Sequence, residues 1–283
     1  MKAGPLMSTG GLAKRLGAPD MAVVDATWFM PGDPRNAMVE FEKAHIPGAL
    51  FFDIDAISDR GSPLPHMLPT PEAFAEAAGH LGLSRDKQVV VYDAQGIFSA
   101  PRVWWTLRTM GFSSVAVLDG GLKKWLAEGR PVQSGGSAPT STLVAPAFDP
   151  ALVRHLADMR QLIAAPGAVQ ILDARPAARF RGESPEPRPG LRSGHIPGAT
   201  SLPFASLIAE DGTLKPPAEL AVALAAAGVD IDRPAVATCG SCVSAAVIAL
   251  ALARLGREDV AIYDGSWAEW GGRDDTPIVT CDG

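Results

Sequence analysis

Residues 238–246 read TCGSCVSAA and carry two of the chain's three cysteines, Cys239 and Cys242, in a Cys-x-x-Cys spacing. Three chemistries use such a pair. A dithiol can cycle against a disulfide, two thiolates can supply half of a zinc site, and one thiolate can act alone as a nucleophile. Zinc takes about four ligands, and only Cys281 and five scattered histidines remain, with no second close pair. A Cys-x5-Arg phosphate loop is excluded, because Ala245 stands where its arginine belongs. No metal and no cofactor is expected. The dithiol and the lone nucleophile both stay open.

The segments on either side say where the loop must sit. PAVAT before Cys239 reads as a buried strand, and VSAAVIALALARLG after it reads as a helix ending at glycine. A cysteine at a strand end, followed by a tight turn and a helix start, is surrounded by backbone N–H donors that favour thiolate over thiol. Thr, Gly and Ser are poor core fillers, which also speaks against a merely packed cysteine.

The frame around this loop is doubled. HIPGA occurs at His45 and again at His195, VVDAT around Asp25 is answered by ILDAR around Asp173, and VLDGGLKKW around Asp119 by IYDGSWAEW around Asp264. In the same order QVVVYDAQG aligns with PAVATCGSC, which sets Asp93 against Cys239. An offset of 145–150 residues is too long for a solenoid repeat and suits two tandem domains. Within each half AVVD, VVVY and VAVL, or QILD, AVAT and VAIY, alternate with amphipathic stretches, the pattern of a parallel sheet with helices on both faces. The expectation is an α/β protein of two domains, 1–130 and 151–283, joined by a Ser-, Gly- and Pro-rich linker at 131–150.

Composition narrows the classes. The chain has 283 residues, 47% hydrophobic and 20% charged, with a net charge of −6. That describes a globular protein and argues against nucleic-acid binding. No apolar run approaches a membrane span, and the start lacks a secretory pattern. Three cysteines are too few for a disulfide framework, so a cytoplasmic setting is expected.

The two HIPGA segments, YDAQGIFSAPRVWW, DARPAARFRGESPEPRPG and CGSCVSA before a helix together resemble the tandem rhodanese family, most closely its mercaptopyruvate-using branch. The resemblance implies two rhodanese-like domains, the second catalytic and the first a degenerate copy. Asp93 at the cysteine position of the first half fits that, since a carboxylate cannot carry a persulfide. Thiosulfate-preferring members follow the cysteine with Arg-Lys, whereas this loop has Gly240 and Ser241, then Cys242, Val243 and Ser244. A neutral loop suits a monoanionic α-keto acid better than a dianion.

By the same resemblance Arg179 and Arg188 bind the donor's carboxylate and carbonyl. Ser241, His66 and Asp55 form a proton relay, the latter two drawn from the first half. The implied activity is ping-pong sulfur transfer from 3-mercaptopyruvate through a Cys239 persulfide to an acceptor thiol, small or thioredoxin-like, or to cyanide. Thiosulfate as donor, a persulfide carrier and a dithiol redox protein are the alternatives. Two positions depart from the family loop. Ser244 replaces threonine and keeps its hydroxyl. Cys242 replaces glycine and brings a second thiol close to the first, able to close a disulfide with an oxidised Cys239. His45, His195, Asp119, Asp264 and the tryptophans read as architecture.

Overall fold

The structure is a computed structural model and describes residues 4–137 and 139–280. It divides into two compact units. Unit 1 comprises Met1–Arg60, Leu68–Asp149 and Ala209–Leu214, and unit 2 comprises Gly61–Met67, Pro150–Ile208 and Lys215–Gly283. Cys281 lies outside the described residues.

Unit 1 runs β1 (Leu6–Met7), α1 (Thr9–Arg15), β2 (Met21–Asp25), α2 (Ala37–Lys43), β3 (Leu50–Phe51), α3 (Pro71–His80), β4 (Gln88–Tyr92), α4 (Ala100–Thr109), β5 (Val115–Leu118) and α5 (Gly121–Ala127). Its five strands are all parallel, in the order β1-β5-β4-β2-β3. Unit 2 repeats the plan with β6 (Val153–Arg154), α6 (Leu156–Ala164), β7 (Gln170–Asp173), α7 (Ala177–Phe180), β8 (Ala199–Ser201), α8 (Pro217–Ala226), β9 (Ala235–Thr238), α9 (Ala245–Arg254), β10 (Ala261–Tyr263) and α10 (Ser266–Trp270). The order β6-β10-β9-β7-β8 reproduces that of unit 1, again parallel throughout.

The central strands are the β-branched runs read from the sequence. Val89, Val90 and Val91 of β4, and Val236 and Ala237 of β9, are at most 1% exposed, as strands covered on both faces must be. The edge strands β1, β3, β6 and β8 are two or three residues long, too short to leave a period in the sequence. Helices α3, α4 and α8 open with proline in their first turn, where the missing N–H costs nothing. Trp125 lies in the core of unit 1 and Trp267 and Trp270 in that of unit 2, all buried. His45 and His195 do the same work in each unit. Each stacks on a phenylalanine ring, at 4.0 and 3.8 Å between centroids, and places Nδ1 2.7 or 2.8 Å from that residue's carbonyl.

The chain is divided differently from the expected boundaries. Most of the expected linker packs on unit 1, where Gln133 exchanges backbone hydrogen bonds with His45 and the Thr142 amide donates to Gly79 O. Its composition is that of a linker, but the HIPG turn and α3 supply backbone partners for it. The short segment Gly61–Met67, which includes His66, belongs with unit 2 rather than with the first half.

Candidate active site

In unit 2 the loop from Cys239 to Ser244 leaves β9 at its carboxyl end and enters α9, the position where open parallel sheets gather ligands. Cys239 is 1% exposed and Cys242 fully buried, and neither is in a disulfide. Ser241 and Val243 are also buried, and Gly240 and Ser244 partly so. Ser244 is the N-cap of α9, yet its hydroxyl makes no bond to the helix amides.

The loop's outer side is tied to neighbouring elements. The Cys239 amide donates to Ser266 Oγ at 3.3 Å, and that hydroxyl donates to Tyr263 O at 2.9 Å. Amides of α10 take two loop carbonyls: Trp267 N to Cys239 O at 2.9 Å and Ala268 N to Gly240 O at 2.8 Å. The next carbonyl, Ser241 O, lies 2.9 Å from His66 Nδ1. A carbonyl only accepts, so Nδ1 carries the hydrogen there.

Backbone strain collects at the same place. Among the described residues three non-glycine residues have positive φ: His66 at 61°, Cys242 at 60° and Ser266 at 49°. All three are loop residues or direct holders of the loop. Left-handed backbone costs about 1–2 kcal/mol at a residue with a side chain. It persists where surrounding contacts over-determine it, which is the habit of functional sites.

Unit 1 carries a corresponding loop, one residue longer, with a different occupant. Asp93 follows β4 as Cys239 follows β9, and the Leu122 amide holds Asp93 O as the Trp267 amide holds Cys239 O. The Asp93 carboxylate is fully buried and accepts four backbone amides: Gln95 on Oδ1 at 2.9 Å, and Phe98, Ser99 and Ala100 on Oδ2 at 2.8, 3.0 and 2.9 Å. A loop of this shape is a nest for negative charge. In unit 2 Ser244 caps α9 five residues after Cys239, where Ser99 caps α4 six residues after Asp93. The counterparts of Phe98, Ser99 and Ala100 at the helix start are therefore Val243, Ser244 and Ala245.

The expected arginines lie on one segment beside this loop. Arg179, from α7, is partly exposed, and its Nη2 lies 3.1 Å from where a Cβ on Gly240 would stand. Its guanidinium therefore rests on the second residue of the loop. Arg188 is partly buried further along the segment. Asp55 lies in unit 1, where its carboxylate accepts Trp28 Nε1–H at 3.1 Å.

Sequence reasoning missed the residues behind Arg179. Arg175 is 1% exposed, and donates from Nε and Nη2 to Asp173 and from Nη1 to Glu186 at 2.8 Å. It also stands 4.2 Å over the Trp267 ring. Burial works to lower its pKa, but Asp173 and Glu186 outweigh this and hold it above the ordinary value. Glu186, with a side chain 1% exposed, takes both Arg175 and Arg179. One signal was present in the sequence: Asp173-Ala-Arg175 in the second half stands against Asp25-Ala-Thr27 in the first. Among the described residues no three His, Cys, Asp or Glu side chains group as metal ligands, and no helix is long and apolar enough to cross a membrane.

Comparison with known proteins agrees with this architecture. The rhodanese-like domain model matches twice, at residues 8–128 and 155–273. The chain is 47% identical to the 3-mercaptopyruvate sulfurtransferase of Escherichia coli K12, over 94% of this chain and 95% of that one. It is 44% identical to the thiosulfate/3-mercaptopyruvate sulfurtransferase 1 of Arabidopsis thaliana, a mitochondrial protein, over 97% of this chain and 78% of that one. The crystal structure of SseA from Escherichia coli superposes with a TM-score of 0.86 at 43% identity, covering 94% and 99% of the two chains. Duplicated sheets, duplicated loops and these matches have one meaning: the chain belongs to the rhodanese-like family and contains two tandem copies of its domain.

Proposed function

We propose that the protein is a sulfurtransferase that moves sulfur from 3-mercaptopyruvate to an acceptor thiol or cyanide through a persulfide on Cys239. The observation that carries this is the pair of matched loops. Four amides solvate a buried carboxylate in unit 1. In unit 2 a buried thiol stands at the corresponding strand end, its carbonyl held by an amide of α10 as that of Asp93 is by an amide of α5.

The Cys239 thiolate attacks the donor sulfur, and the C–S bond breaks with its electron pair leaving on carbon as the pyruvate enolate. The hydrogen of the donor thiol ends on that carbon, so pyruvate departs and Cys239 keeps the outer sulfur as persulfide. An acceptor thiolate then attacks the outer sulfur and restores the Cys239 thiolate. Arg179 and Arg188 hold the donor's carboxylate and carbonyl, a planar fork of donors meeting a planar acceptor. His66 and Ser241 handle the proton, and imidazole is suited to that near neutrality. Asp55 enters this reading through the family resemblance.

The uncharged Gly240-Ser241 pair supports the monoanionic donor. Thiosulfate is the second reading, supported by the doubled name of the Arabidopsis relative. Steady-state assays with each donor and cyanide decide between them. The expected result is a higher kcat/KM for 3-mercaptopyruvate, and loss of at least about 10³-fold with either donor in Cys239→Ser. Full activity in Cys239→Ser would overturn the assignment. Full sulfur transfer in Cys242→Ser would remove the dithiol alternative.

A further inference from the structure

Arg179 is not a loose surface cation. Glu186 grips it from the side, with Nε 3.2 Å from Oε1 and Nη2 on Oε2. The same Oε1 accepts Arg175 Nη1 at 2.8 Å. Arg175 in turn is fixed on Asp173 through Nε at 3.0 Å and Nη2 at 2.6 Å, on Gly194 O at 2.8 Å, and on the Trp267 face. Glu186 is thus held from behind and cannot follow Arg179 if that side chain swings. Two carboxylates face two guanidinium groups, so the formal charge of the cluster is zero.

The arrangement has a chemical consequence. Glu186 occupies Nε–H and one N–H of Nη2, leaving the Nη1 edge of Arg179 for an incoming anion. Nη2, whose second N–H belongs to that edge, lies by Gly240, where there is no side chain to push it away. A carboxylate can bind that edge as a fork. The charge it meets, however, is already compensated by Glu186, whose repulsion of a dianion is twice that of a monoanion at the same distance. Discrimination by a built-in repulsive group is a recurrent route to specificity.

We propose that Glu186 is the positioning and charge-selecting residue of the donor site: it aims Arg179 at the loop and disfavours dianionic sulfur donors against monoanionic ones. This rests on the reading of Cys239 as the sulfur carrier and of Arg179 as a donor-binding cation.

The test compares kcat and KM for 3-mercaptopyruvate and thiosulfate in wild type, Glu186→Gln and Glu186→Asp. In Glu186→Gln the ratio of kcat/KM for the monoanion over the dianion is expected to fall by about tenfold or more, chiefly through opposite changes in the two KM values. A purely structural role would lower both donors alike and leave the ratio unchanged, and that result would overturn the proposal. In the Arg179→Ala background, Glu186→Gln is expected to shift the ratio less than twofold. A full shift there would overturn action through Arg179.

Glu186 is buried and bridges a buried and a partly exposed arginine, so the glutamine variant could fold poorly. Glu186→Asp then decides: it keeps the charge and retracts the carboxylate, so the donor ratio stays within about threefold while KM for 3-mercaptopyruvate rises about tenfold. A fall in kcat alone would sink the proposal. Wild-type protein that persulfidates with neither donor would remove the functional reading and this inference together. A transferring wild type with an unchanged ratio in the variants removes this inference alone.

Discussion

Cys242 stands with φ of 60° at full burial, in a position where glycine is the unstrained residue. Cys242→Gly relieves the left-handed backbone and leaves Cys239 and the α10 anchors in place. The variant is expected to keep sulfur transfer within about twofold of wild type, since the positive φ suits glycine without rearrangement. It also removes the loop's second thiol. Peroxide can oxidise Cys239 to a sulfenic acid, releasing water, and the Cys242 thiol then attacks that sulfur, forming the disulfide as the sulfenic oxygen leaves as a second water. Wild type is therefore expected to lose activity reversibly, with a Cys239–Cys242 disulfide seen by mass spectrometry and removed by dithiothreitol. Cys242→Gly should lose activity without that recovery, and equal recovery in both proteins would exclude the disulfide as the switch.

At the scale of elements, a strand, a loop and a helix are held in register by a second helix, α10, whose amides take the loop carbonyls. Gly240→Ala tests the arginine's seat on this loop. Its methyl would stand 3.1 Å from Arg179 Nη2, closer than ordinary contact, so the guanidinium must shift by a few tenths of an ångström. Donor KM is expected to rise several-fold with kcat and thermal stability little changed, measured by steady-state kinetics and a melt. In unit 1 the matching loop depends on its occupant. Asp93→Ala leaves four amides without their carboxylate, and is expected to destabilise unit 1 by about 2–4 kcal/mol in denaturant titration. Asp93→Asn keeps one acceptor oxygen and should cost less.

For the molecule as a whole, duplication followed by divergence has left the two halves with unequal electrostatics. Asp173 in unit 2 is neutralised by Arg175. Asp25, its counterpart in unit 1, is 2% exposed and has instead the Thr27 amide at 2.9 Å and the Thr27 hydroxyl. Burial pushes the Asp25 pKa up to about 6, with the hydrogen bonds of Thr27 and Tyr92 opposing and Asp93 adding to the rise. A carboxyl with its pKa raised on folding binds its proton more tightly in the native state. Its stabilising contribution is complete below about pH 4 and is lost as pH rises through about 6. Asp25→Asn is therefore expected to gain about 2–3 kcal/mol over wild type at pH 7.5, and to lose that advantage between pH 6 and 4. Chemical denaturation at several pH values measures it, and a pH-independent difference would refute the assignment.

The amino-acid order alone determined the two α/β halves, the parallel central strands, and Cys239 at a strand end before a helix. These are local matters, because runs of Val, Ile and Ala and the glycines that close helices leave a period in the chain. Matched motifs at one offset then marked the duplication. Tertiary structure alone decided what meets what. It set His66 against Ser241 O from 175 positions away, and packed the expected linker onto unit 1. It gave Glu186 two arginines to hold and made Cys242 left-handed. Such side-chain meetings follow from how strands and helices are stacked, and no periodicity along the chain encodes them.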